Sequence, residues 1–124
     1  MPKLEIILIL IVSFFLFIIF LLKTRKFLIQ RRKQKKAKDR LLIFQNLIDD
    51  AQNKNKKAMY NLSNCYLKGE GTEINYTAAF YWAYKAESTG YKKALKLRNL
   101  IEKKITIDQK AAAVLRIENE LINN

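Results

Sequence analysis

Seventeen consecutive residues near the amino terminus, Ile6 to Leu22 (IILILIVSFFLFIIFLL), carry no charge and a single hydroxyl, that of Ser13. As a helix this run extends about 25 Å, a little less than a hydrocarbon core of roughly 30 Å, but Leu4 lengthens it and Lys23 and Lys26 can snorkel at its end. It is too apolar to belong to a small soluble domain and predicts a transmembrane helix. A cleavable signal peptide needs a basic start, a shorter apolar run and a small-residue cleavage motif, whereas here Phe and Ile continue into Lys23-Thr24-Arg25-Lys26. The run also lacks glycine, paired small residues and intramembrane charge, so it reads as an anchor without a specific helix-packing face.

The formal charge of +13 is concentrated behind this span. Between Lys23 and Arg40 there are ten Lys/Arg and one acid, Asp39, whereas from Leu41 onward thirteen Lys/Arg face nine Asp/Glu. Basic residues on the carboxyl-terminal side of a span mark the cytoplasmic side, so the chain is expected to keep its amino terminus outside and the rest in the cytoplasm. Arg25, Lys26, Arg31, Arg32, Lys33, Lys35 and Lys36 are the candidates for contact with anionic headgroups, each worth about 1 kcal/mol when well placed near the surface. The sequence RRKQKKAKDR is made of strong helix formers apart from Asp39, which allows a continuous juxtamembrane helix.

Histidine is absent and Cys65 is the only cysteine. That excludes an internal disulfide, His-based catalytic triads, haem ligation through histidine, and zinc sites built from several Cys or His ligands. Cys65, between Asn64 and Tyr66, reads as a packing residue with no base beside it. Asp49-Asp50 and Glu70 with Glu73 are acid pairs at helix ends and nominate no general acid or base. No catalytic residue, cofactor, metal or small-molecule substrate is expected.

From Leu41 the periodicity is helical, and the remaining residues, 41–124, are read as an all-α module of antiparallel hairpins behind the span (1–22) and the polybasic segment (23–40). Leu41, Leu42, Phe44, Leu47 and Ile48 predict a first helix ending near Asp49-Asp50. Ala58, Leu62, Cys65 and Tyr66 predict a second, stopped at Gly69-Glu70-Gly71. Asn75 is a good N-cap for a third, with Ala79, Trp82, Ala83 and Ala86 on one side and Gly90 at its end. Ala94, Leu97, Leu100 and Ile101 mark a fourth. Thr106 or Asp108 can cap a fifth, which carries Ala112, Leu115 and Leu121 or Ile122.

The residues Ala58-x3-Leu62-x3-Tyr66-x2-Gly69-x-Gly71-x7-Ala79-x2-Trp82-x3-Ala86-x3-Gly90-x3-Ala94 resemble the Sel-one-like repeat family, relatives of the tetratricopeptide repeats. One full repeat is covered, Ala58 to Ala94. Ser63 stands where the family commonly has Gly, Thr72 where it has Val and Asn75 where it has Asp, and Arg98 falls where a following repeat would place Leu. The stretch Lys104 to Lys110 before an Ala-rich last helix also resembles endings seen in bacterial members. The resemblance implies a short α-solenoid in which these ten positions form the core and the flanking helices act as caps.

It also implies a scaffold that binds other proteins through faces of stacked helices, as family members do in bacterial membrane-linked assemblies. A bacterial inner membrane is the implied location, and the richness in Lys, Asn and Ile fits such a source. Tyr66 and Trp82 occupy core positions of the pattern, whereas Tyr81 and Tyr84 lie off that stripe and are the candidates for a partner surface. The Gly69/Gly71 loop lacks the Gly-Lys-Ser/Thr of a phosphate-binding loop and follows a helix, so it reads as a turn. Two other functions compete: binding of anionic lipid or nucleic acid through Lys23 to Arg40, and a small accessory subunit packed against other spans. The polybasic run abuts the span, where topology already explains it, and no aromatics interleave with its charges after Phe27, which disfavours nucleic acid.

Overall fold

A computed structural model of the chain describes residues 2–123. Among them it is all-helical, with five helices: α1 (Pro2–Gln52), α2 (Lys56–Lys68), α3 (Tyr76–Ser88), α4 (Lys93–Glu102) and α5 (Ile107–Ile122). Backbone contacts divide the chain into two units, one ending at Ala37 and one beginning at Lys38.

The first unit is the earlier part of α1. Its apolar window has a mean hydropathy of 3.2 and none of it is buried, so it is long and apolar enough to cross a membrane. Thr24 returns its hydroxyl to the Leu21 carbonyl at 2.9 Å, which satisfies the hydroxyl without breaking the helix. The helix continues unbroken through the polybasic residues. The boundaries expected at residues 22 and 40 are therefore changes of composition within one helix. The helix expected over Leu41 to Ile48 is the last part of α1 and not a separate element.

The second unit contains the end of α1 and the four shorter helices. Helix α1 stops because Lys54 adopts the left-handed conformation (φ 62°), with the Lys54 amide donating to Ala51 and the Asn55 amide to Asp50. Asn55 then caps α2 by accepting from the Lys57 and Ala58 amides. At the other end Gly69, with φ 72°, closes α2, and the Gly69 and Glu70 amides both return to the Cys65 carbonyl. Asn75 caps α3 through the Ala78 amide at 2.9 Å, as its position predicts. Thr106 caps α5 in a reciprocal capping box with Gln109, which leaves Asp108 in the first turn.

Helix α3 is the central element, packing against α2, α4 and α5. Its approach to α2 is set by small residues. Ala79 is fully buried, and Ser63 of α2 is equally buried and donates its hydroxyl to the Ala79 carbonyl at 2.6 Å. A larger residue at either position would hold the helices apart. Around this crossing lie Met59, Leu62, Phe80, Ala83, Ala86, Ala94, Leu97 and Ile101, with Ala113 and Ile117 contributed by α5.

Three expected faces differ in the structure. On α5 the buried residues are Ala113 and Ile117, whereas Ala112, Leu115, Leu121 and Ile122 are exposed. The last helix is apolar on more than one side, and sequence periodicity alone chose the wrong one. On α4, Leu97 and Ile101 are buried but Leu100 is exposed, and on α1 Leu41 and Leu42 are exposed while Phe44 and Ala51 are buried.

Candidate functional site

Of the ten pattern positions, Ala58, Leu62, Ala79, Trp82, Ala86 and Ala94 are buried and belong to one core. Tyr66 is half-buried, with its ring edge-on to Phe44 of α1 at 5.3 Å between centroids. Gly69, Gly71 and Gly90 all have positive φ and end or connect helices. Gly71 has a second role: a β-carbon there would lie 2.6 Å from the Arg40 carbonyl oxygen and 2.8 Å from the Phe44 β-carbon. The loop between α2 and α3 thus packs directly on the backbone of α1.

Tyr81, expected on a surface, is 1% exposed. The correction follows from α5, which covers the side of α3 that the α2 contact leaves open. The Tyr81 hydroxyl donates to Glu120 of α5, and the Lys85 ammonium donates to the other Glu120 oxygen at 2.9 Å and to the Tyr81 hydroxyl at 3.2 Å. The Arg116 guanidinium lies 3.9 Å from the centroid of the same ring, and the Trp82 ring meets it edge-on at 5.0 Å. This cluster latches α5 to α3.

The charges of the latch follow from its contacts. Burial raises the Tyr81 phenol, and its hydrogen bond to Glu120 adds to that. For Lys85 burial acts downward, but the hydrogen bonds to Glu120 and Tyr81 and their attraction prevail, so its pKa is raised. The Tyr81 hydrogen bond lowers Glu120 against a smaller opposing effect of burial, with Lys85 assisting. All three shifts favour a neutral phenol, an ammonium and a carboxylate together, the state that makes the bonds.

A second polar network ties α3, α4 and α5. Arg98 bonds Glu87 at 2.6 Å and Glu102 at 3.4 Å, and Lys110 reaches Glu102 at 3.0 Å. Arg98 therefore serves as a brace between α3 and α4. Lys85, Arg116 and Glu120 were not singled out by sequence, because the contacts that join α3 to α5 span 35 to 39 residues.

Tyr84 is exposed, as expected of a surface aromatic. Tyr60 and Tyr91 are half-buried and pack at 5.2 Å, which uses their faces within the module. Arg25, Lys26, Arg31, Arg32, Lys33, Lys35 and Lys36 are all exposed on α1, and among the described residues none makes an ion pair. Arg31 lies over the Phe27 ring at 4.8 Å. At 100° per residue these seven cations spread over about 220° of the helix, too wide for a single stripe. Cys65 is buried, and burial followed by the nearby Glu70 raises its thiol, the opposite of what a reactive thiolate needs. Among the described residues no group of three His, Cys, Asp or Glu could hold a metal ion.

No family model, curated protein or solved structure matches this chain.

Proposed function

We propose that the chain is a single-pass membrane protein of the Sel-one-like repeat type, whose helical module holds a partner protein close to the cytoplasmic leaflet of a bacterial inner membrane. The observation that carries this reading is the joint use of the pattern residues: six share one core, and the Gly-x-Gly loop docks on the preceding helix. That is the local packing expected of a short α-solenoid with α1 and α5 as end helices. The exposed apolar window of α1 supports the anchor, and the cations behind it support the orientation. Their wide spread on the helix suits a headgroup layer better than a nucleic-acid groove. Binding, with no catalytic step, is the proposed activity, and Tyr84 is the surface aromatic assigned to it.

A photo-crosslinking residue placed at position 84 of the full chain in its native membrane tests the reading. A discrete protein adduct, competed by the purified partner and lost from a control position at Asn119, supports it. Absence of protein adducts from position 84, or adducts only of lipid or nucleic acid from positions 25–36, overturns it in favour of an electrostatic function. Topology is tested separately by cysteine labelling from either side of the membrane, with labelling of position 84 from the outside contradicting the orientation.

A further inference from the structure

Helix α5 buries Ala113 and Ile117 against the module and leaves a second apolar stripe uncovered. Ile107 is 88% exposed, Leu115 58%, Leu121 71% and Ile122 80%, with Ala111 and Val114 between them. These residues recur at helical spacing along α5, and the first four of them in chain order, Ile107, Ala111, Val114 and Leu115, line a shallow depression of about 570 Å³ with Lys110 and Glu118. An exposed apolar stripe of this length on a small module marks an interface.

The charges on the stripe restrict what can cover it. Glu118 stands among the apolar residues, one turn after Val114 and Leu115, and makes no ion pair among the described residues. Insertion among anionic headgroups would bring that carboxylate against like charge and would desolvate it. Lys110, on the rim of the stripe, pairs with Glu102 at 3.0 Å and lies over the Phe80 ring at 5.7 Å, yet keeps 47% of its side chain exposed to a second carboxylate. The two are placed symmetrically: Lys110 lies four residues before Val114 and Glu118 four after it, while Ile107 and Leu121 lie seven before and seven after.

We propose that this face binds a second copy of the chain, α5 against α5 in antiparallel order, with a two-fold axis passing at Val114. In that arrangement each Glu118 meets the Lys110 of the other copy, and Ile107 of one packs against Leu121 of the other, about 10 Å from the axis. The patch is complementary to itself, which is the requirement of a two-fold interface. Co-localisation in one membrane would raise the effective concentration of the two copies and favour the pairing. The pairing is independent of the partner surface assigned to Tyr84.

The test uses the full chain in membranes, with Cys65→Ala as background and Val114→Cys as the reporter. Oxidation is expected to give a disulfide-linked dimer from Val114→Cys and at least several-fold less from Asn119→Cys on the opposite side of α5. Lys110→Glu and Glu118→Lys are each expected to reduce the crosslink several-fold, and the double reversal to restore it. Leu115→Lys, an exposed change that leaves the core intact, is expected to abolish it. Equal crosslinking at positions 114 and 119, or a double reversal that does not recover, overturns the proposal. So does a crosslink indifferent to Leu115→Lys. Circular dichroism of each variant establishes that helix content is retained.

Discussion

Gly71 sits so close to the Arg40 carbonyl that a β-carbon would lie 2.6 Å from that oxygen, and it does so with φ at +78°. Two separate constraints, a left-handed backbone and contact with another helix's backbone, thus fall on one residue. Gly90 has a similar φ of +85° but open space around it.

The pair makes a controlled comparison. Gly90→Ala is expected to cost about 1 kcal/mol, from backbone conformation alone. Gly71→Ala adds the clash and is expected to cost about 3 kcal/mol or more. Denaturant unfolding of the two variants checks this, and equal losses would mean that the loop is not held against α1.

Lys54 is the one non-glycine residue among those described with positive φ, at the end of α1. Lys54→Gly removes that strain and is expected to stabilise the module by up to about 1 kcal/mol, read as a higher unfolding midpoint.

Ser63 of α2 donates to the Ala79 carbonyl of α3 inside the core. Ser63→Ala should cost about 1 kcal/mol through the lost bond. Ser63→Val, which forces extra volume into the same crossing, should cost about 1–3 kcal/mol. Thermal unfolding that ranks them in the reverse order would contradict the close approach of α2 and α3.

Tyr81→Phe keeps the ring and loses the hydroxyl, an expected cost of about 1 kcal/mol because Glu120 still reaches water. Tyr81→Ala empties a core position and should cost about 3–5 kcal/mol. Tyr84→Ala should stay within about 0.5 kcal/mol, so a loss of partner capture there can be read as binding and not as unfolding.

The latch also predicts a pH profile. Glu120 is lowered, so its contribution is present above the ordinary carboxylate range and is lost as pH falls through the lowered value. Lys85 and Tyr81 are raised, so theirs are present below their ordinary values and are lost as pH rises through the raised ones. Stability should therefore be flat between these limits, with an acid limb that Glu120→Gln removes.

Much of the local structure was legible beforehand. Asn75, Thr106, Gly69 and Gly90 end or begin helices through hydrogen bonds and backbone angles that involve only a few neighbouring residues, so their identities predict their roles. The apolar run from Ile6 to Leu22 is equally local, since length and composition alone decide whether a helix can cross a bilayer. The buried Ala58 of α2 and Ala79, Ala83 and Ala86 of α3 were also readable, because each falls at helical spacing with the apolar residues of its own helix.

Tertiary structure decided which side of an ambiguous helix turns inward. In α5, Leu115 and Ile117 are both apolar and two residues apart, so periodicity cannot choose between their faces; the contact with α3 buries Ile117 and exposes Leu115. The same contact buried Tyr81 and assembled Lys85, Arg116 and Glu120 around it, across a separation over which sequence spacing carries no information. Capping and membrane insertion depend on neighbours along the chain, whereas the choice of face depends on which helix arrives from a distance to cover it.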